Sequence, residues 1–583
     1  LSNTNSSMQY LQAAFRAQTP FSDKVLGMKT NCYVFDFAPD RALTVMADSS
    51  RLHSGLGKKV TGEQKKEMGK LLNFLPIIGE SGNGMKEFPV DEMLRQLKRA
   101  YAEKAVRTGF DDDSIYSDDL LQLKDVNYDD FNHLKGIVGT TKKEKRKMTV
   151  PVNQQGMGDE ERDAADRGRK KRKKNRTPEE EAALAKLREL RKQSKALKSI
   201  LRGVSIRIPL MIYGLNVDFS DDVSIEDFIN HVDDKSWAEF MPTGVNKALF
   251  RKFLKYYDPE VFIEAGHIIR GRVKNIDNDD PLERTEEIAD IFAHFRNPDK
   301  ETVLTPWRVV NMHVGKVFGG LSFYDKEYHY TTEKGNNAAH WIQTDLTDHV
   351  FHPDTHILEI NSKTGLYPLY ETATLYYQAF KKMNDRMAGK FTLQDEQALW
   401  EDILAKNIYV IAKTPMAKVI TERTLAGYHN WKMNVKYIDG LADSLKKSIP
   451  ESVEKVKKGF GKQMKFDAVI GNPPYQDNSK GDNDTFRPPL YNLFSELSYK
   501  LSDKVSLITP ARYLFNAGST PKNWNKKMLE DPHIKVVLYE RDSSKIFPNT
   551  DIKGGIVITY RDIQKEFGEI KIFTPYEEMN PVL

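Results

Sequence analysis

One stretch narrows the possible folds of this chain more than any other: Phe466-Asp467-Ala468-Val469-Ile470-Gly471-Asn472-Pro473-Pro474-Tyr475. A short apolar run bounded by glycine reads as a buried strand, and it delivers Asn-Pro-Pro-Tyr at its C-terminal end. In open α/β sheets, ligands bind outside the carboxyl ends of the strands. The two prolines stiffen the turn and donate no backbone N–H, so nearby carbonyls stay free to accept hydrogen bonds. Asn472 adds a side-chain acceptor, and Tyr475 offers a flat face on which a base can stack. Such an elbow is suited to gripping a planar amino group whose lone pair must be turned toward an electrophile.

Composition bounds the rest. At 583 residues the chain has room for roughly three to five domains. A hydrophobic content of 39% supports real cores but not a membrane protein, and no run of about 18 apolar residues exists. The lone cysteine, Cys32, excludes an internal disulfide or a thiolate zinc site. With no charged-then-apolar leader at its start, the chain is expected in a reducing cytoplasm. Its opening Leu-Ser-Asn, and its end soon after a strand-like run, read as a piece of a longer protein. The net charge of +5 is too small to argue nucleic-acid binding, so the local distribution matters more.

Asn472-Pro473-Pro474-Tyr475 after an apolar strand resembles the catalytic motif of amino-methyltransferases that use S-adenosylmethionine (AdoMet). The wider context resembles single-chain restriction–modification enzymes, in which a helicase-like ATPase precedes a DNA adenine methyltransferase. The resemblance implies an α/β architecture: a doubly wound Rossmann-like methyltransferase sheet, preceded by a helical connector and a partial helicase-like domain. It implies AdoMet as cofactor, double-stranded DNA as partner, and ATP only in the full-length protein. Residues 1–135 would hold the ATPase remnant and a helical extension, 136–200 a basic linker and charged helix, and 201–300 a helical coupler. Residues 301–583 would be the methyltransferase domain, with the target-recognition region missing or incomplete.

Near the start, the segment from Tyr10 to Phe21 resembles the last motif of superfamily-two helicases. Gln12 is followed four residues later by Arg16, an arginine that in such motors reaches the γ-phosphate. Phe15 and Thr19 depart from the usual Gly and Arg, and no Gly-rich phosphate loop occurs in the chain. Cys32 to Phe37 alternates like a strand. Residues 60–135 read as helical, with helical spacing clearest from Glu92 to Tyr101. Asp111-Asp112-Asp113 cannot share one face of a regular element, which points to a helix start or a solvated loop rather than a metal site. The basic run from Arg167 to Arg176 is expected to be disordered by charge repulsion, serving either as a contact to DNA phosphates or as a solvated hinge. Thr177-Pro178 with Glu180 then marks a helix start, the helix running to about Ile200. Beyond it, Val245–Tyr257 and Arg284–Phe295 are predicted helices.

Thr305-Pro306 before an amphipathic helix resembles the opening of adenine methyltransferases, where this turn lies close to the methionine carboxylate of AdoMet. His356 to Leu369 resembles the cofactor loop, with Ile357-Leu358-Glu359 ending a first parallel strand. Glu359, Asn361 and Gly365 are the expected cofactor contacts. Ile360 stands where such loops have Pro and Lys363 where they have a first Gly, so a side chain occupies a place of close backbone approach. After the strand at Asn407–Ile411, Ala412 stands where an acid commonly binds ribose hydroxyls. The acid facing the cofactor's adenine amine is Asp439, with Asp443 as competitor. The polar stretch Asp477 to Asp484 reads as a loop over the target base, Leu490–Leu501 as a helix, and Val505–Pro510, Ile534–Tyr539 and Gly555–Tyr560 as strands.

The resulting expectation is methyl transfer to the amino nitrogen of an adenine flipped out of the duplex. Two rivals stay open. The same four-residue motif serves enzymes that methylate protein glutamine or RNA amines, and the altered cofactor loop allows an inert module that couples a motor to DNA.

Overall fold

The computed structural model describes residues 16, 19–23, 27–28, 78–81, 84–87, 89–117, 120, 126–138, 164–165, 167–168, 171–295, 304–329, 339–386, 391–461, 464–477, 488–548 and 550–576. The chain divides into two compact units. One comprises Leu1–Pro209, Asp221–Ile229 and Pro242–Ile269; the other comprises Leu210–Ser220, Asn230–Met241 and Arg270–Leu583.

In the first unit the helix-start signature behaves as its chemistry predicts. Thr177 Oγ1 accepts from the Glu180 N–H at 3.2 Å, Glu180 Oε2 accepts from the Thr177 N–H at 3.0 Å, and Pro178 opens the helix. This helix continues to Ser205, five residues beyond the expected end, because Leu197, Ile200, Leu201 and Val204 keep it buried. The end of the basic run is not the disordered tract that repulsion alone would give. Lys171 pairs with Glu180 at 2.7 Å, Arg176 donates to the Gly168 carbonyl at 2.7 Å, and Lys173–Asn175 forms a 3-10 turn.

Two helical expectations need correction. Residues 60–135 hold helices Val90–Arg107 and Tyr128–Val138, but also an antiparallel hairpin of Ile78–Ser81 and Gly84–Glu87. Val245–Tyr257 is not one helix. It breaks into Lys247–Arg251, capped by Asn246, and a 3-10 turn at Leu254–Tyr256. Phe253 and Tyr256 turn onto Phe131 at ring distances of 5.1 and 5.2 Å, so tertiary packing overrides local propensity there. Asp111 to Asp113 lies in a loop, with Asp113 paired to Lys198 at 2.6 Å, and no group of three or more candidate metal ligands occurs among the described residues. The Cys32–Phe37 strand and the Asp477–Asp484 loop, apart from Asp477 itself, fall outside the described residues.

The second unit is built on a seven-stranded sheet. In chain order its elements are α1 (Trp307–Val317), β1 (Ile357–Ser362), α2 (Leu366–Arg386), α3 (Leu393–Lys406), β2 (Ile408–Ala412), α4 (Pro415–Ala426) and β3 (Asn434–Tyr437). There follow α5 (Leu441–Lys447), α6 (Ile449–Phe460), β4 (Ala468–Gly471), α7 (Tyr491–Leu501), β5 (Lys504–Pro510), α8 (Lys522–Glu530), β6 (Ile534–Glu540) and β7 (Ile556–Asp562). The spatial order is β6-β7-β5-β4-β1-β2-β3, with β3, β2, β1, β4 and β5 mutually parallel and β7 antiparallel to both its neighbours. This mixed α/β sheet is consistent with a Rossmann-like methyltransferase core.

Burial explains the arrangement. β1, β2 and β4 are buried at every residue, as central strands of a sheet covered on both faces must be. β3 and β6 are mostly half-exposed, and they form the edges. Side chains alternate across β1: Leu358 and Ile360 join Val469, Leu445, Val456, Phe494 and Leu497 in one core layer, so Glu359 points to the opposite face. Strand order reverses between β1 and β4, which makes their carboxyl ends the switch point where a crevice opens.

The buried guanidinium of Arg284, on helix Pro281–His294, closes the end of α4. It donates to the carbonyls of Arg423, Thr424 and Leu425 at 3.1, 3.0 and 3.3 Å; the Arg423 carbonyl also accepts from the Gly427 N–H at 2.8 Å and the Leu425 carbonyl from Trp400 Nε1 at 3.0 Å. Arg284→Ala removes the donor from the Thr424 carbonyl and one donor each from Arg423 and Leu425, and we expect it to lower unfolding stability by about 2 kcal/mol in urea titrations. A loss below about 0.5 kcal/mol would show that water replaces the guanidinium at no cost.

Candidate active site

The elbow is held by close approach of two strands. β4 ends at Gly471, whose φ is +151°, and a Cβ there would lie 2.6 Å from the Ile360 carbonyl oxygen of β1. Only glycine lets the strands meet at this point. Opposite it, Asn361 adopts φ +68°, a left-handed conformation that Asn tolerates, at an irregularity in the β1–β2 register. Its Nδ2 donates to the Asn472 carbonyl at 3.0 Å. The expected cofactor contact thus also ties the cofactor loop to the elbow.

Asn472 is oriented from a third direction. Its Nδ2 donates to Thr305 Oγ1 at 3.1 Å, one residue before the Pro306 that leads into α1. Thr305 and Asn472 are far apart in sequence, and the fold makes them partners. With its nitrogen committed, the amide leaves Oδ1 buried without a hydrogen bond of good geometry. Pro473 and Pro474 are buried, and the half-buried Tyr475 packs against the cluster of Tyr491, Ala511, Tyr513, Leu514 and Trp524. The Tyr475 hydroxyl is itself buried; burial pushes its ionisation up, against a smaller opposing pull from Asn472.

The first-strand loop differs in detail from expectation. β1 does not end at Glu359 but runs on to Ser362, because Ile360, Asn361 and Ser362 are all buried between neighbours. Glu359 is buried with Oε2 unpartnered, and desolvation pushes its carboxyl up to about 8, partly opposed by Ser362. Glu371 on α2 is buried with both carboxyl oxygens unpartnered; burial and then the nearby Glu359 push it well above the usual range. On the same face His313 is held neutral between Tyr367 OH at 2.7 Å and Ser506 Oγ at 2.8 Å, its ionisation pushed down to about 3 by burial. Gly365, at φ +76°, sits where a Cβ would come 3.0 Å from Thr421 Cα, so it seats the loop on α4.

Past β2 no acid stands at the strand end. Ala412 is buried, and Lys413 reaches Glu239 Oε2 at 2.7 Å, while Lys363 lies 3.5 Å from Glu239 Oε1. Asp439 lies just beyond β3, where its carboxylate is exposed, pairs with Lys235 and accepts from Tyr437 OH at 2.8 Å. Asp443 is also exposed and pairs with Lys446 at 3.0 Å. Of the ATPase residues, Gln12 lies outside the described residues, and Arg16 is exposed with its carbonyl accepting from Thr19 Oγ1 at 2.8 Å. Sequence reasoning missed Glu239, Glu371, Tyr367 and His313. Tyr367 lies within the His356–Leu369 stretch but at none of its expected contact positions, the other three lie outside every motif, and each reaches its neighbours through tertiary packing.

A buried acid raised on folding gives a signed pH dependence. Between its ordinary value of 4.5 and about 8, Glu359 holds a proton in the native state that the unfolded chain releases. Stability therefore falls as pH rises through that window and levels off above it. We expect the melting temperature to drop between pH 5 and 8, and Glu359→Gln to flatten that slope by up to about 1.4 kcal/mol per pH unit. A Glu359→Gln profile parallel to that of the parent protein would remove Glu359 as the source.

Residues 406–547, which include the elbow, match a family model described as Eco57I restriction-modification methylase. An uncharacterized adenine-specific methylase from Mycoplasma pneumoniae (strain ATCC 29342 / M129 / Subtype 1) is 31% identical over 131 residues, covering 21% of this chain. The match spans only 31% of that relative's own length. Among solved structures, a nuclease-deletion mutant of the Type ISP restriction-modification enzyme LlaGI, in complex with a DNA substrate mimic, is similar at 13% identity and a TM-score of 0.33. That similarity covers 82% of this chain and 39% of the other. A type I restriction-modification methyltransferase subunit from Streptococcus thermophilus is similar at 12% identity and a TM-score of 0.31, covering 81% of this chain and 85% of the other.

Proposed function

We propose that the sheet unit is a site-specific DNA adenine-N6 methyltransferase module of a restriction–modification enzyme. The observation that carries this reading is the state of Asn472. Its amide nitrogen is committed to Thr305 and its carbonyl to Asn361, while Oδ1 is buried and open at the switch point. An acceptor so held is suited to receive an N–H from a ligand. The matched family model spans this elbow, and the partly matched relative is described as adenine-specific, which supports adenine as the target.

The residues present fit the cofactor. AdoMet is cationic at sulfur and at its ammonium, and the buried Glu359 carboxyl, with an open oxygen on the strand beside the elbow, can balance that charge. Glu359, the Ser362–Gly365 loop and the Thr305-Pro306 turn are the groups that would hold it. When bound, AdoMet supplies an electrophilic methyl group on a sulfonium.

The chain's own part in the reaction is positional. Extruding adenine from the duplex costs a few kcal/mol, recovered in part by stacking on Tyr475. Asn472 Oδ1 and the Pro473 carbonyl accept the two amino hydrogens and turn the nitrogen lone pair out of conjugation. No strong base is needed before attack, because the amine becomes acidic only once methylated. Orientation then contributes most of the acceleration. Double-stranded DNA is the proposed partner, and the exposed Lys173 and Lys174 of the first unit are suited to phosphates. The helicase-like reading of Gln12 and Arg16 belongs to the same proposal, with ATP acting only in a full-length protein.

Intact protein incubated with tritiated AdoMet and unmethylated mixed-sequence duplex DNA tests this. Label should enter adenine N6. Asn472→Ala should cut turnover by about 10²-fold or more while DNA affinity changes little. Tyr475→Ala should weaken both base binding and turnover. Native turnover by Asn472→Ala refutes the assignment, and label entering RNA or protein glutamine in place of DNA redirects the substrate class.

A further inference from the structure

The second strand ends without the acid that a nucleoside site needs. In dinucleotide-type sheets a carboxylate near the carboxyl end of the second strand accepts hydrogen bonds from ribose hydroxyls. Here Ala412 and Lys413 occupy that place, and neither side chain can accept. A carboxylate nonetheless stands there, brought from about 170 residues upstream.

Helix Asp234–Phe240 carries it. Glu239 Oε2 lies 2.7 Å from Lys413 Nζ, directly after β2, and Oε1 lies 3.5 Å from Lys363 Nζ, directly after β1. The helix is fastened at further points along the same edge. Ser236 Oγ accepts from the Met416 N–H at 3.0 Å at the start of α4, and Lys235 pairs with Asp439 just past β3. Trp237, Phe240 and Met241 are buried beneath it. The carboxylate is thus set over the ends of β1 and β2 by a fixed element.

Stability alone does not account for this trio. The Glu239 side chain is 5% exposed and those of Lys363 and Lys413 are 13% and 18% exposed. Burying such charges is costly, and apolar replacements of similar volume are often neutral or better. An ionised carboxylate offers about four acceptor sites. Lys413 lies at hydrogen-bond distance from one of its oxygens and Lys363 at the limit of that range from the other.

We propose that Glu239 supplies the ribose-binding carboxylate of the nucleoside cofactor site, replacing the acid absent from the end of β2. This rests on the methyltransferase reading above. Glu239 is a specificity-determining residue for the ribose, and Lys413 and Lys363 are positioning residues that aim it.

The test is calorimetric and independent of turnover. Intact protein is titrated with S-adenosylhomocysteine and with its 2′-deoxyribose analogue. The parent protein should prefer the ribose form by at least tenfold, and Glu239→Gln should bind the two forms within about threefold of each other. Glu239→Asp keeps the charge but withdraws it by one methylene; it should hold an intermediate preference, and it takes the place of Glu239→Gln if that variant does not fold. If Glu239→Gln keeps the full ribose preference, or weakens both ligands equally, Glu239 is only a clamp and this inference is wrong, while the methyltransferase reading stands. If the parent protein binds neither ligand, both fall together.

Discussion

The site depends on how closely β4 can approach β1. Gly471 places no side chain against the Ile360 carbonyl, and that permits the parallel pairing of Ala468–Gly471 with Ile357–Ile360 right up to the elbow. Everything beyond follows from this approach. Asn361 can reach the Asn472 carbonyl only because the strands end side by side, and its left-handed backbone turns the amide across the gap. Any side chain at 471 would push the elbow away from the loop proposed to hold the cofactor. Steric contact at one α-carbon therefore couples the proposed methyl-donor half of the crevice to the acceptor half.

Around that junction the interior is unusually polar. Glu359, Glu371, His313, Tyr367 and Ser506 lie on the face of the sheet opposite the apolar layer of Leu358, Ile360 and Val469. Burial without full hydrogen bonding is unfavourable. Burial here pushes the ionisation of both carboxyls up and that of the imidazole down, toward the neutral forms. Such a face is poorly designed for stability and well suited to a ligand carrying positive charge, whose arrival would favour ionised carboxyls. At the neighbouring strand end, the Glu239–Lys413–Lys363 group is likewise costly to bury. Strain of this kind, concentrated at one sheet edge, is what a binding site leaves in a fold.

Much of this architecture is legible in the chain itself. Local chemistry sets the helix start at Thr177-Pro178, because capping hydrogen bonds lie within four residues of each other. The strands at 408–412, 468–471, 504–510, 534–540 and 556–562 fall close to their expected places, since each reads as a short apolar or alternating run bounded by turns. Reading fails where distant residues intervene. Val245–Tyr257 has helical spacing, yet contact with Phe131 breaks it. Nor could the sequence show that Asp439, at the end of the third strand, pairs with Lys235 204 residues upstream.

Short-range chemistry written in the chain is enough to specify the elbow: a strand, a glycine, two prolines, and an amide and a phenol at set spacing, all expressed through covalent geometry and local sterics. It also shows that the second strand lacks an acid. What completes the site is settled by the packed fold. Thr305 orients Asn472 from 167 residues away, and Glu239 comes to the vacant strand end on a helix that no motif marks. Hydrogen bonds and ion pairs act over about 3 Å of space whatever the separation along the chain. Partners of that kind become visible only when the sheet has brought their backbones together.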